Sequence, residues 1–415
     1  MDEKVISQFA RQCARSKHAP VLVLDSSVNG LSYVRSLSRK GIPLLCADSK
    51  KAVASRSRFG LFMLLETRPD DSIDGEQAAD ELIARLNALG IMPVAFGAAD
   101  QWQVYLARRA AEENCGVRTL VPARATMETI IDKQAQYEAA AKLDIPVAAF
   151  ANAREVFARR APWTTFPAII KPRWAHVGRT AIGGKAVRVH TETEMRQMLE
   201  SLDREVDVSA YIVQEIISGG DNCLYGFLAL YDADGREISW LVKRKLRQYP
   251  PTFGDGSLDV TCVNDRVADT ARKLLRGMAY RGLVGVEFKV DPETDDLTLI
   301  EINPRTVSTN QLAVRAGVDF PWLAYCLVTG QDPGDMALPS EAGGLPYRLD
   351  VHHVNEEREF RLFLLRRRAG ETNFVEWLRC VLSAGSHSFW DRTDPWPFLW
   401  ALGSGLRKRM SRRAE

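Results

Sequence analysis

Two glutamates and an asparagine near residue 300 are the side chains best spaced to do chemistry. Val284–Asp291 and Leu297–Asn303 read as strands, joined by the turn-rich segment Pro292–Asp296. A five-residue turn pairs Asp291 with Leu297, so Val290 faces Thr298 and Glu287 faces Glu301. Strand alternation puts Val286, Phe288 and Val290 on one face with Ile300 and Ile302, a plausible core. Glu287, Glu301 and Asn303 take the other face. Carboxylates directly across a strand pair repel each other. A divalent cation between them removes the repulsion, and magnesium takes hard oxygen ligands of this kind together with substrate phosphates. A solvated hairpin rim is the competing reading, and a turn one residue shorter shifts the register.

Other groups could serve an anion. Lys171 ends the apolar run Phe166–Lys171 just before Pro172, where a buried lysine requires an anionic partner. The loop Arg173–Lys185 carries Gly178, Gly183 and Gly184, which would let backbone amides approach an anion. Lys243, Lys245 and Arg247 alternate onto one side of a strand, ahead of the loop Pro250–Gly256.

Glu301-Ile302-Asn303-Pro304-Arg305, with Glu287 on the preceding strand, resembles the magnesium-binding signature of ATP-grasp enzymes. The resemblance covers about residues 121–330, and further parts fall in the family's order. It implies that Glu287, Glu301 and Asn303 hold magnesium, or manganese in its place, against ATP. Lys133, after Asp132, and Lys171 would hold phosphates, under a flap containing Gly183 and Gly184. Gln214, Glu215, Ile216 and Ile217 would form the hinge that reads adenine, with Asp221 on the ribose. Arg305, with Lys245 and Arg247, would serve as catalytic contacts to the phosphoryl group or the acyl substrate. The activity implied is carboxylate–amine ligation: a carboxylate is activated as an acyl phosphate, then joined to an amine, with ADP released. Other ATP-grasp phosphoryl transfers to a small molecule, and an ATP-binding regulatory protein with decayed catalysis, are the alternatives. Ser55–Phe59 fits the D-aspartate-ligase-like branch of the family.

Three strand-then-helix units precede this region, with strands at Pro20–Asp25, Ile42–Ala47 and Ile91–Phe96. Such alternation predicts a parallel α/β sheet with ligands at the strands' carboxyl ends. Asp25, Asn29, Asp48 and Asp100 lie near those ends, as ligand groups or as ordinary caps and turn residues. No G-x-G-x-x-G is present, so a dinucleotide cofactor is not supported. Residues 121–330 mix strands and helices without alternation, which predicts α+β. Thr126–Lys142 reads as one helix. The expected organisation is a Rossmann-like parallel-sheet domain (1–120), a two-lobed ATP-grasp domain (121–330, hinge at 214–217) and a partly helical C-terminal extension with a basic end (331–415).

At 415 residues the chain is long enough for two or three domains, and a net charge of +2 gives no sign of nucleic acid as a partner. Small-molecule carboxylate and amine substrates are the partners expected, and an oligomer is compatible with the sequence. The seven cysteines are scattered without a C-x-x-C pair, and no run approaches the roughly 18 apolar residues of a membrane span. Those features, with an N-terminus unlike a secretory signal, predict a reduced, cytoplasmic protein. Trp396, Phe398, Trp400 and Leu406, followed by Arg407–Arg413, form either a core-packing segment with a solvated basic end or a peripheral contact with the inner face of a membrane.

Overall fold

The computed structural model describes residues 2–174, 181–334 and 344–411, with side chains described as far as residue 403. Four short strands open the fold: β1 (Val21–Leu24), β2 (Leu44–Asp48), β3 (Leu61–Leu64) and β4 (Val94–Gly97). All pair in parallel, in the order β3-β2-β1-β4. Alternate residues of β1 enter different cores. Val21 and Val23 meet Leu31, Tyr33 and Leu37, whereas Leu22 and Leu24 meet Leu82, Leu86 and Trp102. A strand covered on both faces reads as a continuous apolar run, which is why β1 is visible in the sequence. The edge strand β3 has mixed burial and no such run, and the sequence reading omits it.

A four-stranded antiparallel sheet follows: β5 (Phe150–Asn152), β6 (Ala168–Pro172), β7 (Val187–Val189) and β8 (Tyr211–Glu215), in the order β5-β8-β6-β7. The helix Glu192–Glu205 covers it through Met195, Leu199 and Leu202.

The largest sheet has seven strands: β9 (Leu224–Tyr231), β10 (Glu237–Tyr249), β11 (Asp255–Thr261), β12 (Gly282–Val290), β13 (Leu297–Asn303), β14 (His352–Val354) and β15 (Ser386–His387). Their order is β13-β12-β9-β10-β11-β14-β15. On one face Phe227, Ala229, Val286 and Phe288 pack with Ala271 and Leu274 of the helix Asp265–Gly277 and with Tyr137. On the other, Leu228, Leu230 and Leu241 join the core of the first sheet.

The sheet does not stop near residue 330. β14 and β15 extend it antiparallel to β11, so residues beyond 330 complete the central sheet as well as adding helices. The C-terminal segment also locks onto the first sheet's helix Val28–Ser38. The fully buried Asp394 accepts hydrogen bonds from Arg35 Nε at 3.0 Å, Ser57 Oγ at 2.8 Å and the Arg58 amide at 2.9 Å. Ser57 and Arg58 belong to the Ser55–Phe59 segment, whose structural role here is this clamp. Phe398 and Trp400 pack against the first core, Trp396 is exposed, and the side chains of Leu406 and Arg407–Arg413 lie outside the described residues. No single helix among the described residues is long and apolar enough to cross a membrane.

Candidate functional site

The antiparallel β5–β8 sheet and the seven-stranded sheet enclose a cleft of about 540 Å³. On its large-sheet side, β12 and β13 place Glu287 directly opposite Glu301. The route to this pairing differs from expectation. Val290 pairs with Leu297 and not with Thr298, so the turn is one residue longer than expected. A bulge between Phe288 and Glu287, opposite Ile300, then absorbs the offset and restores the Glu287–Glu301 pair. The bulge also turns Ile300 out of the core. It lines the cleft, and Leu299 takes its place in the buried cluster with Phe288 and Ile302.

Cations surround the acid pair. Lys133 Nζ lies 3.8 Å from Glu301 and Lys245 Nζ 3.4 Å from Glu287. Burial alone would push the Glu301 carboxyl up, but Lys133 and Lys185, with a hydrogen bond from Asn303, hold it at about 2. Burial opposes the charge on Lys245, yet Glu287 and neighbouring acids keep it above its ordinary value. Lys171 is different. It is buried, its Nζ donates to the neutral Tyr137 hydroxyl at 2.8 Å, and no carboxylate lies within ion-pair distance among the described residues. Burial lowers it to about 8, against a weaker pull from Glu301.

Lys133 owes its position to a helix break. The expected single helix is two, Arg124–Ile131 and Lys133–Lys142, because Asp132 adopts an extended backbone and caps the second by accepting from the Gln134 amide. Asp132 is also gripped by Arg173. Lys133 therefore starts a new helix, and it lines the cleft.

The donor set suits a phosphate chain carrying a divalent cation. Two facing carboxylates are the usual protein share of a magnesium site, the rest being water and phosphate oxygens. Among the described residues no group of three or more His, Cys, Asp or Glu side chains gathers as a closed metal cage. The buried, anion-free Lys171 marks where negative charge fits.

A family model described as "ATP-grasp in the biosynthetic pathway with Ter operon" matches residues 230–348. The C-terminal section of the carbamoyl phosphate synthase large chain of Methanopyrus kandleri is 24% identical over 209 residues, 47% of this chain and 36% of that protein. The chain thus spans about a third of that relative's length. Among solved structures, the biotin carboxylase domain of Hydrogenobacter thermophilus 2-oxoglutarate carboxylase, in complex with MgADP and bicarbonate, superposes with a TM-score of 0.60 at 14% identity. It covers 81% of this chain and 74% of its own. The L-amino acid ligase of Bacillus licheniformis gives a TM-score of 0.58 at 13% identity, over 78% of each chain.

The fold is that of the ATP-grasp superfamily.

The cleft gathers most of the residues singled out from sequence. Lys133, Lys171, Glu287, Glu301 and Lys245 line it, as do Gln214, Glu215, Ile216, Ile217 and Asp221. Gln214–Ile217 run from the end of β8 toward β9, between the two sheets. The Ile217 carbonyl accepts from Lys289 Nζ at 2.8 Å. Asp221 accepts from the Gln248 amide and from its Nε2 at 2.7 Å. Asn303 sits behind the acid pair, donating to Glu301 Oε1 at 3.1 Å and accepting from Arg305 at 3.0 Å. Arg305 is also bound by Asp100, at 2.6 Å, which ties the hairpin's end to the start of the helix Asp100–Arg109 that follows β4.

One expectation fails on placement. Arg247 does not share a side with Lys245. A bulge in β10 between Lys245 and Arg247 inverts the alternation, so Gln248 enters the cleft. Arg247 instead pairs with Glu359 at 2.6 Å and donates to Cys380 Sγ, in a separate 180 Å³ pocket. Gly183 and Gly184 directly precede Lys185 and Ala186, which line the cleft. Gly178, His176 and Arg179 lie outside the described residues.

The sequence reading missed Lys185, Arg188, Lys289 and Gln248 as lining residues. Lys289 was within reach, since it follows Glu287 by two positions on the same strand face. Gln248 was not, because nothing local announces the bulge. At the first sheet, Asn29 donates to the Ala98 carbonyl, and Asp48 accepts from the Ser26 amide and hydroxyl, as turn residues do. Asp25 is buried, which pushes its carboxyl up to about 6 despite a hydrogen bond from Ser27.

Proposed function

We propose that this chain is a magnesium–ATP-dependent ligase that activates a carboxylate as an acyl phosphate and joins it to an amine, releasing ADP and phosphate. The observation that carries the reading is the Glu287–Glu301 pair, set across two strands at the floor of a cleft whose nearest cations are Lys133 and Lys245. ATP would lie between the sheets, its adenine against the main chain of Gln214–Ile217 and its ribose near Asp221. Lys171 and Lys133 would take phosphate oxygens. Lys171 gains there the anion it lacks. Glu287 and Glu301, with the Asn303 amide oxygen, would hold magnesium, which on binding neutralises charge on the β- and γ-phosphates.

The work left to the protein is positioning and charge stabilisation. The substrate carboxylate attacks the γ-phosphorus and ADP leaves. Lys245 lies beside Glu287 at that end of the cleft, and Arg305 is held rigid by Asp100 and Asn303. Both would stabilise the transferring phosphoryl and the tetrahedral intermediate. The amine then attacks the acyl carbon, loses a proton and expels phosphate.

The test is phosphate release in a screen of paired amino acids and small acids. ADP and phosphate should form only with magnesium, a carboxylate and an amine together. Formation of AMP and pyrophosphate, or full turnover without an amine, would overturn the assignment. Thermal stabilisation by ATP should require magnesium in the wild type and lose that requirement in Glu301→Ala.

A further inference from the structure

The helix Phe374–Ser383 faces outward with the wrong side. Helical spacing sends Trp377, Cys380 and Val381 inward. Trp377 packs between Phe360 and Phe363, with ring centroids 5.6 and 5.1 Å away, and Cys380 and Val381 rest on the Leu258–Val354–Ala384 cluster. The outward stripe should be polar. It includes Phe374, Val375, Leu378 and Leu382, which are 51%, 61%, 36% and 73% exposed, beside the exposed Glu376 and Arg379. No residue of this helix is fully buried. The preceding helix, Glu356–Arg368, adds the exposed Leu365 and ends on Arg366, Arg367 and Arg368. Arg367, Arg368 and Arg379 make no ion pair within 4 Å among the described residues, and all three are exposed. A contiguous apolar patch with a charged rim marks a docking surface.

We infer that this helical hairpin docks on the surface of an anionic phospholipid membrane. The apolar stripe matches the headgroup–acyl boundary, and the unpaired arginines match anionic headgroups. A second copy of the chain is the poorer occupant. A second copy brings no anionic surface of its own to the exposed Arg367, Arg368 and Arg379 beyond single acids such as Glu371 and Glu376. The last helix, Trp396–Ser411, repeats the composition: Trp396, Leu399 and Leu402 are exposed, and the sequence runs on through Arg407–Arg413.

Co-sedimentation of the full chain with vesicles tests this. Vesicles of phosphatidylcholine mixed with phosphatidylglycerol should pellet the protein at least about tenfold more than phosphatidylcholine alone, and added salt should release it. Leu378→Glu/Leu382→Glu and Arg367→Glu/Arg368→Glu should each abolish most of the binding. Both pairs are solvent-facing, and if the leucine variant fails to fold the arginine variant carries the test. No preference for the anionic vesicles, or unchanged binding by a folded variant, overturns the inference. So does a wild-type dimer in light scattering that Leu378→Glu/Leu382→Glu converts to monomer, which would give the face to a second copy.

Discussion

Glu287 and Glu301 are held beside cations by position. Each has one lysine at 3.4–3.8 Å, and each faces the other across the hairpin. Replacing either by Gln keeps the shape and removes half of the charge offered to a cation. Glu301→Gln or Glu287→Gln should cut ATP turnover by more than about 100-fold, since even residues behind a metal's ligands are worth 10–100-fold. Steady-state phosphate release measures this, with circular dichroism as the control for folding.

Lys171 makes a pH-dependent prediction. Its folded-state value is about 8, below the roughly 10.4 of an unfolded lysine. Between those values the unfolded chain binds more protons, so ligand-free stability from this group rises with pH across that window. Below about pH 8 the cost of burying the charge is fully present. A polyanion beside Nζ reverses the shift. ATP binding near pH 8 should therefore draw in roughly half a proton more in the wild type than in Lys171→Met. Calorimetry in two buffers of different ionisation enthalpy reads the difference, and equal uptake would remove Lys171 from the phosphate site. The unmet need of this lysine was legible in sequence, from an apolar strand ending in Lys before Pro. Its hydroxyl partner, Tyr137, lies 34 positions away and was not.

At the scale of elements, two bulges decide which side chains reach the cleft. The one on the β12–β13 ladder corrects the longer turn and exposes Ile300; the one in β10 exchanges Arg247 for Gln248. Regular alternation therefore works up to each bulge and inverts after it. Arg247→Ala and Gln248→Ala should behave oppositely. The first leaves Glu359 buried without its cation and should cost about 3 kcal/mol of stability, the lower end for a broken buried pair, because Arg247 is a quarter exposed. Its ATP affinity should stay close to wild type. The second removes the Nε2 hydrogen bond to Asp221, leaves the main-chain one in place, and should weaken ATP binding with little loss of stability. Chemical denaturation and nucleotide titration separate the two. A loss of ATP affinity in Arg247→Ala alone would return that residue to the cleft. Asp132 belongs at this scale too. A helix pattern continues through it in sequence, and only its grip on Arg173 and its cap on Gln134 show why the chain restarts there.

Over the whole molecule, the ends of the chain depend on each other. Asp394 is buried against Arg35, Ser57 and Arg58, more than 300 residues away in sequence. Asp394→Ala leaves a buried guanidinium without its carboxylate, which costs about 3–5 kcal/mol. Such a chain need not unfold in one step. The loss should appear locally, as hydrogen exchange about 100-fold faster in the helix Val28–Ser38. Unchanged protection there would mean that the C-terminal segment merely rests on the first sheet.

The sequence by itself determined the parallel sheet and the mixed lobes, because buried strands read as apolar runs and their alternation with helices marks a parallel sheet. It placed Glu287 and Glu301 on one hairpin, but they face each other only because a bulge offsets a turn one residue longer than regular pairing predicts. Tertiary structure alone decided that β14 and β15 close the central sheet, that Asp100 anchors Arg305, and that Gln248 replaces Arg247 in the cleft. Each of these joins groups distant in sequence or turns on a one-residue irregularity. A carboxylate far along the chain leaves no mark beside the cation it will meet. A bulge reverses every side chain after it without changing the composition of the strand.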